Sequence, residues 1–364
     1  MEVTVKNRIQ EIDIIKGIGI ICMVACHAGS PGRNFFYLFH MAIFFIASGY
    51  TYNRNNSNDI QSYANYVIKK IKQLYLPFVL WNSLFLLLNN FFIDINVYTN
   101  NNLFLELFNG KYACLTNYLS IKEIITKLID ILLFSGETQL CGAFWFLKVL
   151  FFISILYGLS ELILKKCNIQ RIKVFEYILS AMLLLLGYYF RLRHNTLNGF
   201  AMVFSYYFLF HIGTELNRIN IKNIKTTNKI IIIICSLVFL IFLSKYVSFE
   251  LAANKYGNPL YLVIASMAGW FMLYELATFI RGNNVLCKLF TTIGKNTLII
   301  MSLHFLSFKL VSLLKVVTQG KPLFCIAAFP TFYGEEGLWW ILYTIIGIIV
   351  PICLKRLFIN IRKK

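Results

Sequence analysis

Residues 12–28 decide how this chain begins to fold, and they read IDIIKGIGIICMVACHA. The run is apolar apart from Asp13, Lys16 and His27, and eleven positions separate the lysine from the histidine. At a helical rise of about 1.5 Å per residue, that spacing is roughly 16 Å, half of a bilayer's hydrocarbon core. The sequence therefore predicts a membrane span with Lys16 near one face and His27 deep inside. Ionisable groups in a span are costly unless they have a partner or a polar cavity, so both residues are candidates for function.

Composition extends this reading to the whole chain. Of 364 residues, 58% are hydrophobic and only 14% are charged. A mean hydropathy of +0.67 indicates a polytopic membrane protein. The formal charge of +19 would suggest a nucleic-acid partner in a soluble protein. In a membrane protein it is explained by basic residues on the cytoplasmic side, so no nucleic acid is predicted.

Apolar runs of helical length recur between basic clusters and predict ten spans. They lie near residues 12–28, 35–52, 75–94, 144–164, 174–190, 197–216, 229–247, 259–279, 296–314 and 338–357. The ninth is the least clear, because His304 and Lys309 interrupt it. The expected fold is an all-α, polytopic bundle of transmembrane helices that forms one domain over residues 1–364.

Basic residues orient the predicted spans. With the N-terminus inside, 22 lysines and arginines fall in inner segments and eight in outer segments. Both termini are therefore expected in the cytoplasm. The outer connection of residues 95–143 contains an amphipathic stretch at 121–132, which we expect to form an interfacial helix.

The second predicted span contains FHMAIFFIASGY at residues 39–50. Together with the first span it resembles the acyltransferase 3 family of integral-membrane acyltransferases. The first helix of that family carries a basic residue, ten spacer residues and a histidine, as Lys16 and His27 do here. Asp13 precedes them where the family often has an acid, and arginine is the commoner residue at the position of Lys16. Further similar patches are Tyr66 to Pro77, Phe144 to Leu147, Phe208 to Arg218, and Gly294 to Asn296 leading to His304.

The resemblance implies a membrane-bound O-acyltransferase. Its co-substrate would be cytoplasmic acetyl-CoA or another acyl-CoA. The acceptor would be a hydroxyl of an extracytoplasmic glycan or lipid-linked sugar, such as a polysaccharide of the cell envelope. It also implies a multi-pass location in the plasma membrane, expected to be a bacterial inner membrane, with lipids as neighbours. Cysteine and histidine spacing does not suggest a metal site, and oligomeric state stays open. The alternative is a transporter or export component for polysaccharide or a small polar solute, with the histidines along its path.

Three residues are candidates for catalysis: His27, His40 and Asp13. Imidazole has an unperturbed pKa of about 6.5, which suits a general base that takes a proton from an acceptor hydroxyl. We assign that role to His27, and a covalent acyl-histidine is the variant left open. His40 would orient the acceptor or tune His27. Asp13 lies one helical turn before Lys16 and would pair with it.

Other candidates would bind the two substrates. Lys16 would hold the pyrophosphate or the thioester oxygen of acyl-CoA, although a lysine at a helix end can also snorkel to lipid headgroups. The lysines 69, 70 and 72 would meet the nucleotide phosphates, and anionic lipid is their alternative ligand. Trp145 and His304 are the candidates for contact with the acceptor. His211, beside Glu215, is expected in an interfacial ion pair.

Overall fold

The computed structural model describes residues 9–104, 115–167, 169, 171–219, 225–332 and 337–361. These residues form helices and connections, with isolated β-bridges only at Thr99 with Leu115 and at Glu250 with Lys255. The helices are α1 (Gln10–His27), α2 (Arg33–Tyr37), α3 (Ala42–Tyr50), α4 (Ile60–Lys70), α5 (Leu76–Leu87), α6 (Asn89–Asp94), α7 (Ile121–Leu132), α8 (Trp145–Lys166), α9 (Ile172–Leu192), α10 (Phe200–Ile219), α11 (Thr226–Leu243), α12 (Pro259–Arg281), α13 (Asn284–Lys295), α14 (Thr297–Thr318) and α15 (Trp339–Ile361). The predicted all-α fold is confirmed.

Six of these helices are long and apolar enough to cross a membrane: α8, α9, α11, α12, α14 and α15. They coincide with predicted spans four, five and seven to ten. The other four predicted spans also hold helices, namely α1, α2 with α3, α5 with α6, and α10. The second of them is not one continuous helix, because α2 ends at Tyr37 and α3 begins at Ala42. His40 lies in that break.

Helix α1 is the centre of the bundle. It packs against α3, α12, α13 and α15, and most of its residues are buried. Two glycines permit the closest of these approaches. A Cβ atom on Gly17 would collide with the carbonyl of Phe290, and one on Gly294 would collide with the carbonyl of Asp13. Larger residues at either glycine would force α1 and α13 apart.

Helix α14 is uninterrupted, although the span predicted there was the least clear of the ten. Lys309 and Lys315 are buried on it, and their ammonium groups donate hydrogen bonds to backbone carbonyls of the connection that follows. Lys309 reaches Ile326 and Ala328, at 3.2 and 2.8 Å. The two lysines therefore hold the segment after α14 inside the bundle rather than interrupting the helix.

The predicted interfacial helix is α7. Ser120 and Glu123 form a capping box at its start, so its first backbone N–H groups are satisfied. Ile121, Ile125 and Ile129 on it are exposed. Exposed isoleucines on an amphipathic helix are suited to a lipid interface.

Candidate active site

One stripe of α1 lines a cavity of about 620 Å³. Its residues are Lys16, Ile20, Met23 and His27. They follow one another at intervals of four, three and four residues, which places them on a single helical face. The periodicity of α1 thus places the two predicted polar residues at different depths of the same cavity.

The cavity reaches both predicted faces of the membrane. Asn53, Lys69 and Lys70 line it on the predicted cytoplasmic side. Glu250 and Ala252, which lie in the connection between α11 and α12, line it on the predicted outer side. His40, Trp145, Tyr37, Ser48 and Gln73 also contribute to the lining. A molecule entering from either side would therefore reach the same stripe of α1.

A second histidine, outside the cavity lining, lies within hydrogen-bond distance of His27. Nδ1 of His27 lies 3.0 Å from Nε2 of His304, which α14 supplies. Nδ1 of His304 lies 3.1 and 3.0 Å from the carbonyl oxygens of Ile300 and Met301. Carbonyls only accept hydrogen bonds, so these partners assign the proton to Nδ1 of His304. Its Nε2 then accepts from Nδ1–H of His27, and Nε2 of His27 is left with a lone pair.

Aromatic packing fixes the plane of the His27 ring. The ring of Phe305 stacks on it, with centroids 4.8 Å apart, and contacts His304 as well. Phe329, from the segment that Lys309 holds, lies 4.6 Å from Phe305. The outer connection therefore braces the pair of histidines through two phenyl rings.

His40 occupies the break between α2 and α3. Its Nδ1 donates to the carbonyl of Phe36 at 2.8 Å, and its ring stacks on Tyr37. Nε2 is the remaining ring nitrogen, on a residue that lines the cavity. The break in the predicted second span thus serves to place a histidine beside the cavity.

Positive charge gathers at the other end. Lys16, Lys69 and Lys70 line the cavity together, and the Lys70 ammonium lies 5.3 Å from the ring centroid of Tyr66. Burial lowers the pKa of Lys70 to about 8, and the charges of Lys16 and Lys69 add to that effect. Mutual repulsion of this kind is relieved by a bound anion.

Two predicted site residues lie elsewhere. Lys72 is exposed on the π-helical turn Ile71–Tyr75, outside the cavity lining. Asp13 is buried where α1 meets Gly294, and it does not line the cavity either. Of the nine candidates, the structure gathers six around the cavity and His304 directly behind it.

Sequence reasoning missed a cluster of charges at the predicted cytoplasmic ends of the helices. Arg54 forms ion pairs with Glu161, Glu176 and Glu215, at 3.2, 2.8 and 3.1 Å. Lys165 and Arg218 complete the group. We call these six residues the carboxylate cluster. The available signal was the presence of glutamates within one or two turns of three predicted span ends.

His211 adjoins the carboxylate cluster. Its Nδ1 lies 3.3 Å from the hydroxyl of Tyr157, while Glu215 pairs with Arg54 and Arg218. The ligand atoms of Glu176, His211 and Glu215 lie within 4.8 Å of one another, a spacing that a metal ion could bridge. Arg54 pairs with both carboxylates, and Lys165 and Arg218 supply two further positive charges, so the three glutamates of the cluster face three bases.

Comparison with known proteins gives one match. No curated protein and no solved structure matches the chain. A family model described as an acyltransferase domain matches residues 9–356, nearly the full length. The match includes both elements that carried the resemblance, α1 and the segment with His40. The chain therefore belongs to the acyltransferase 3 family and is a multi-pass membrane acyltransferase.

Proposed function

We propose that this acyltransferase moves an acetyl group from cytoplasmic acetyl-CoA to a hydroxyl of an extracytoplasmic glycan or lipid-linked sugar. The observation that carries the proposal is the single cavity lined by lysines at one predicted face, by His27 inside, and by Glu250 at the other face. Donor and acceptor can meet at His27 from opposite sides. The acyl group then crosses the membrane within the protein, and the acceptor stays outside.

His27 supplies the general base. Its Nε2 takes the proton of the acceptor hydroxyl as the oxygen attacks the thioester carbonyl carbon. The C–S bond breaks, and the leaving thiolate takes that proton from the imidazolium. His304 accepts from Nδ1–H throughout, so it holds the ring in the correct tautomer and stabilises the positive charge.

Lys16 fits the phosphates of the donor better than its thioester. Helical side chains lean toward the N-terminus, so Lys16 extends away from His27, which is already roughly 16 Å further along the helix. Lys69 and Lys70 lie at the same end of the cavity. Three cations can bind the nucleotide and pyrophosphate, while the pantetheine arm carries the acyl group toward His27.

His40 fits the acceptor end. Its Nδ1–H is used by the carbonyl of Phe36, so Nε2 can accept a hydrogen bond from a sugar hydroxyl. Trp145 lines the same cavity and offers an apolar face on which a sugar ring can stack. These two residues would hold the acceptor, and His27 would activate it.

The test is the replacement of His27 by glutamine. Purified protein would receive radiolabelled acetyl-CoA and a cell-envelope glycan extract, and both labelled glycan and free CoA would be measured. A general base contributes typically 10²- to 10⁴-fold, so His27→Gln should lower turnover by about that factor. Binding of CoA should not change. An amide keeps a hydrogen bond but has no useful basicity, which separates proton transfer from packing.

His211→Gln is the matched control, because it makes the same substitution at a buried histidine outside the cavity lining. It should retain turnover once folded protein is normalised. If His27→Gln keeps the parental turnover, His27 is not the general base. Labelled His27 in the absence of acceptor would indicate an acyl-histidine intermediate instead of direct transfer.

A further inference from the structure

A second cavity, of about 410 Å³, adjoins the catalytic one on the predicted outer face. It lies between the connection after α9 and the connection before α12. Ala252 lines both cavities, and its neighbours Glu250 and Leu251 line the catalytic one. The segment around Ala252 therefore lies between two adjacent cavities, close enough to take neighbouring units of one chain-like molecule.

Two cationic side chains, those of Arg191 and Lys255, and the imidazole of His194 line this outer cavity. Its lining in the described residues includes no carboxylate. Glu250 lies 3.4 Å from Lys255, but both side chains are at least half exposed. An ion pair so exposed contributes little and leaves the lysine available. The cavity therefore favours an anion.

Arg191 is held in place without an acidic partner among the described residues. Its guanidinium lies 5.0 Å from the ring centroid of Tyr256 and 5.5 Å from that of Tyr188. One Nη atom donates to the carbonyl of Gly257. A guanidinium has five N–H donors, so this fixed group has others to offer a ligand.

Asn254 points to the same ligand independently. Its side chain is 7% exposed, and neither its amide oxygen nor its amide nitrogen has a hydrogen-bond partner among the described residues. Buried polar groups are nearly always paired, so this amide lacks something that a ligand can provide. It can donate to a carboxylate and accept from a hydroxyl. An acidic sugar carries both groups.

We propose that the outer cavity binds an anionic saccharide unit of the acceptor, next to the unit that is acylated at His27. The role in acylation rests on the proposed function, whereas the binding itself does not. The anion is the carboxylate of an acidic sugar or a phosphate that links sugars. Arg191 binds the negative charge, Asn254 donates to it and accepts from a neighbouring hydroxyl, and the shared segment around Ala252 places the two cavities side by side.

The test measures binding without any acyl donor. Purified protein in detergent would be titrated with three probes: a galacturonic acid tetrasaccharide, its neutral methyl ester, and a glycerol phosphate oligomer of similar length. A charge-assisted hydrogen bond is worth about 1.5–3 kcal/mol, so the acidic tetrasaccharide should bind at least about tenfold tighter than the ester. Tighter binding of the phosphate oligomer would identify a phosphate-linked acceptor. Equal binding of all three probes would overturn the proposal.

Asn254→Asp and Asn198→Asp form a matched pair. Both asparagines lie on the outer face with left-handed φ of 54°, a conformation that aspartate also tolerates. Only Asn254 lines the cavity. Asn254→Asp should weaken binding of the acidic probe by about tenfold or more, while Asn198→Asp should not. Equal weakening in both variants would show that added surface charge alone weakens binding, and the proposed site would be refuted.

The parent and His27→Gln should bind the acidic probe equally. Binding in both, without transfer in either, would leave the outer cavity standing and refute the proposed function. If the parent transfers acetyl to the glycan extract but binds the anionic probes no better than the neutral one, the proposed function stands and the outer binding site is refuted.

Discussion

The cavity along α1 and the carboxylate cluster both place ionisable side chains among apolar helices, and the partners of those side chains differ. In the cluster, Arg54 uses its guanidinium as a bidentate fork on Glu176 and also reaches Glu161 and Glu215. Its three acids and three bases balance. In the cavity, Lys16, Lys69 and Lys70 stand together with the same sign.

The difference separates charges that balance one another within the fold from lysines that line a cavity, where we propose that Lys69 and Lys70 bind the anionic donor. Burial alone does not separate them, since Glu161 and His304 are both fully buried. What separates them is whether their remaining hydrogen-bond donors and acceptors face one another or face the cavity. Cluster residues direct most of theirs to one another, although Oε2 of Glu161 has no hydrogen-bond partner among the described residues, whereas Nε2 of His27 keeps a lone pair on a residue that lines the cavity. We therefore expect cluster variants to lose stability and cavity variants to lose activity.

Arg54→Gln should produce the largest loss of stability. It leaves Glu176 buried without its cation and Glu161 with Lys165 alone, and breaking a buried ion pair in this way costs about 3–5 kcal/mol. The thermal midpoint of the protein in detergent should fall markedly. Arg54→Lys should restore only part of it, because an ammonium cannot form the fork on Glu176.

The companion measurement is the thermal midpoint of His27→Gln, which should match the parent. Glutamine keeps a side-chain N–H that can donate to His304, and replacement of a residue kept for activity is usually neutral or favourable for stability. If Arg54→Gln keeps the parental midpoint, or His27→Gln loses several kcal/mol, the distinction between the two regions is wrong.

His304→Phe should produce the next largest effect, on turnover alone. Phenylalanine keeps the stacking with Phe305 but cannot accept from Nδ1–H of His27. Partners that orient a metal-bound histidine are typically worth about 10- to 100-fold, and we expect a similar factor for the partner of His27. The turnover number should fall by that factor while KM for acetyl-CoA stays constant. The assay is the transfer of radiolabel at saturating acceptor.

His304→Gln provides the control, because its side-chain oxygen can accept the same hydrogen bond. It should retain more turnover than His304→Phe. If both variants lose equal activity, His304 acts by packing, and the tautomer assigned to His27 loses its support.

The sequence predicted the parts of this comparison that depend on local periodicity. The spacing of Lys16 and His27 predicted their different depths along α1, and apolar length located α8, α9 and α11. Those signals are local, since a helix repeats every 3.6 residues wherever it packs. The break around His40 was not predictable, because residues 38–41 contain neither glycine nor proline.

Contacts between segments that are distant in the chain could not be predicted from the sequence either. His27 and His304 are 277 positions apart, and Arg54 lies more than 100 positions from each of its acidic partners. A single sequence marks such residues as unusual but does not pair them. Glu161 and Glu176 carried that mark as acids inside predicted spans and should have been read as partners for a cation.

Lys70 should produce the smallest effect, and its titration tests whether the basic end of the cavity binds the anionic donor. Its pKa of about 8 means that it loses its charge as pH rises through 8, well below an ordinary lysine. A bound polyanion favours the charged form, so affinity for the donor should be constant near pH 7 and fall above pH 8. The loss should approach about tenfold at pH 9.5, at the lower limit for a hydrogen bond to a charged group. Titration with desulfo-CoA at each pH measures the affinity for the donor without interference from the thiol.

Lys70→Arg should flatten the pH profile of donor affinity, since arginine stays charged throughout, whereas Lys72→Arg, outside the cavity lining, should keep the parental profile. Identical profiles in all three proteins would mean that Lys70 does not meet the donor, and the basic end of the cavity would then be explained by anionic lipid.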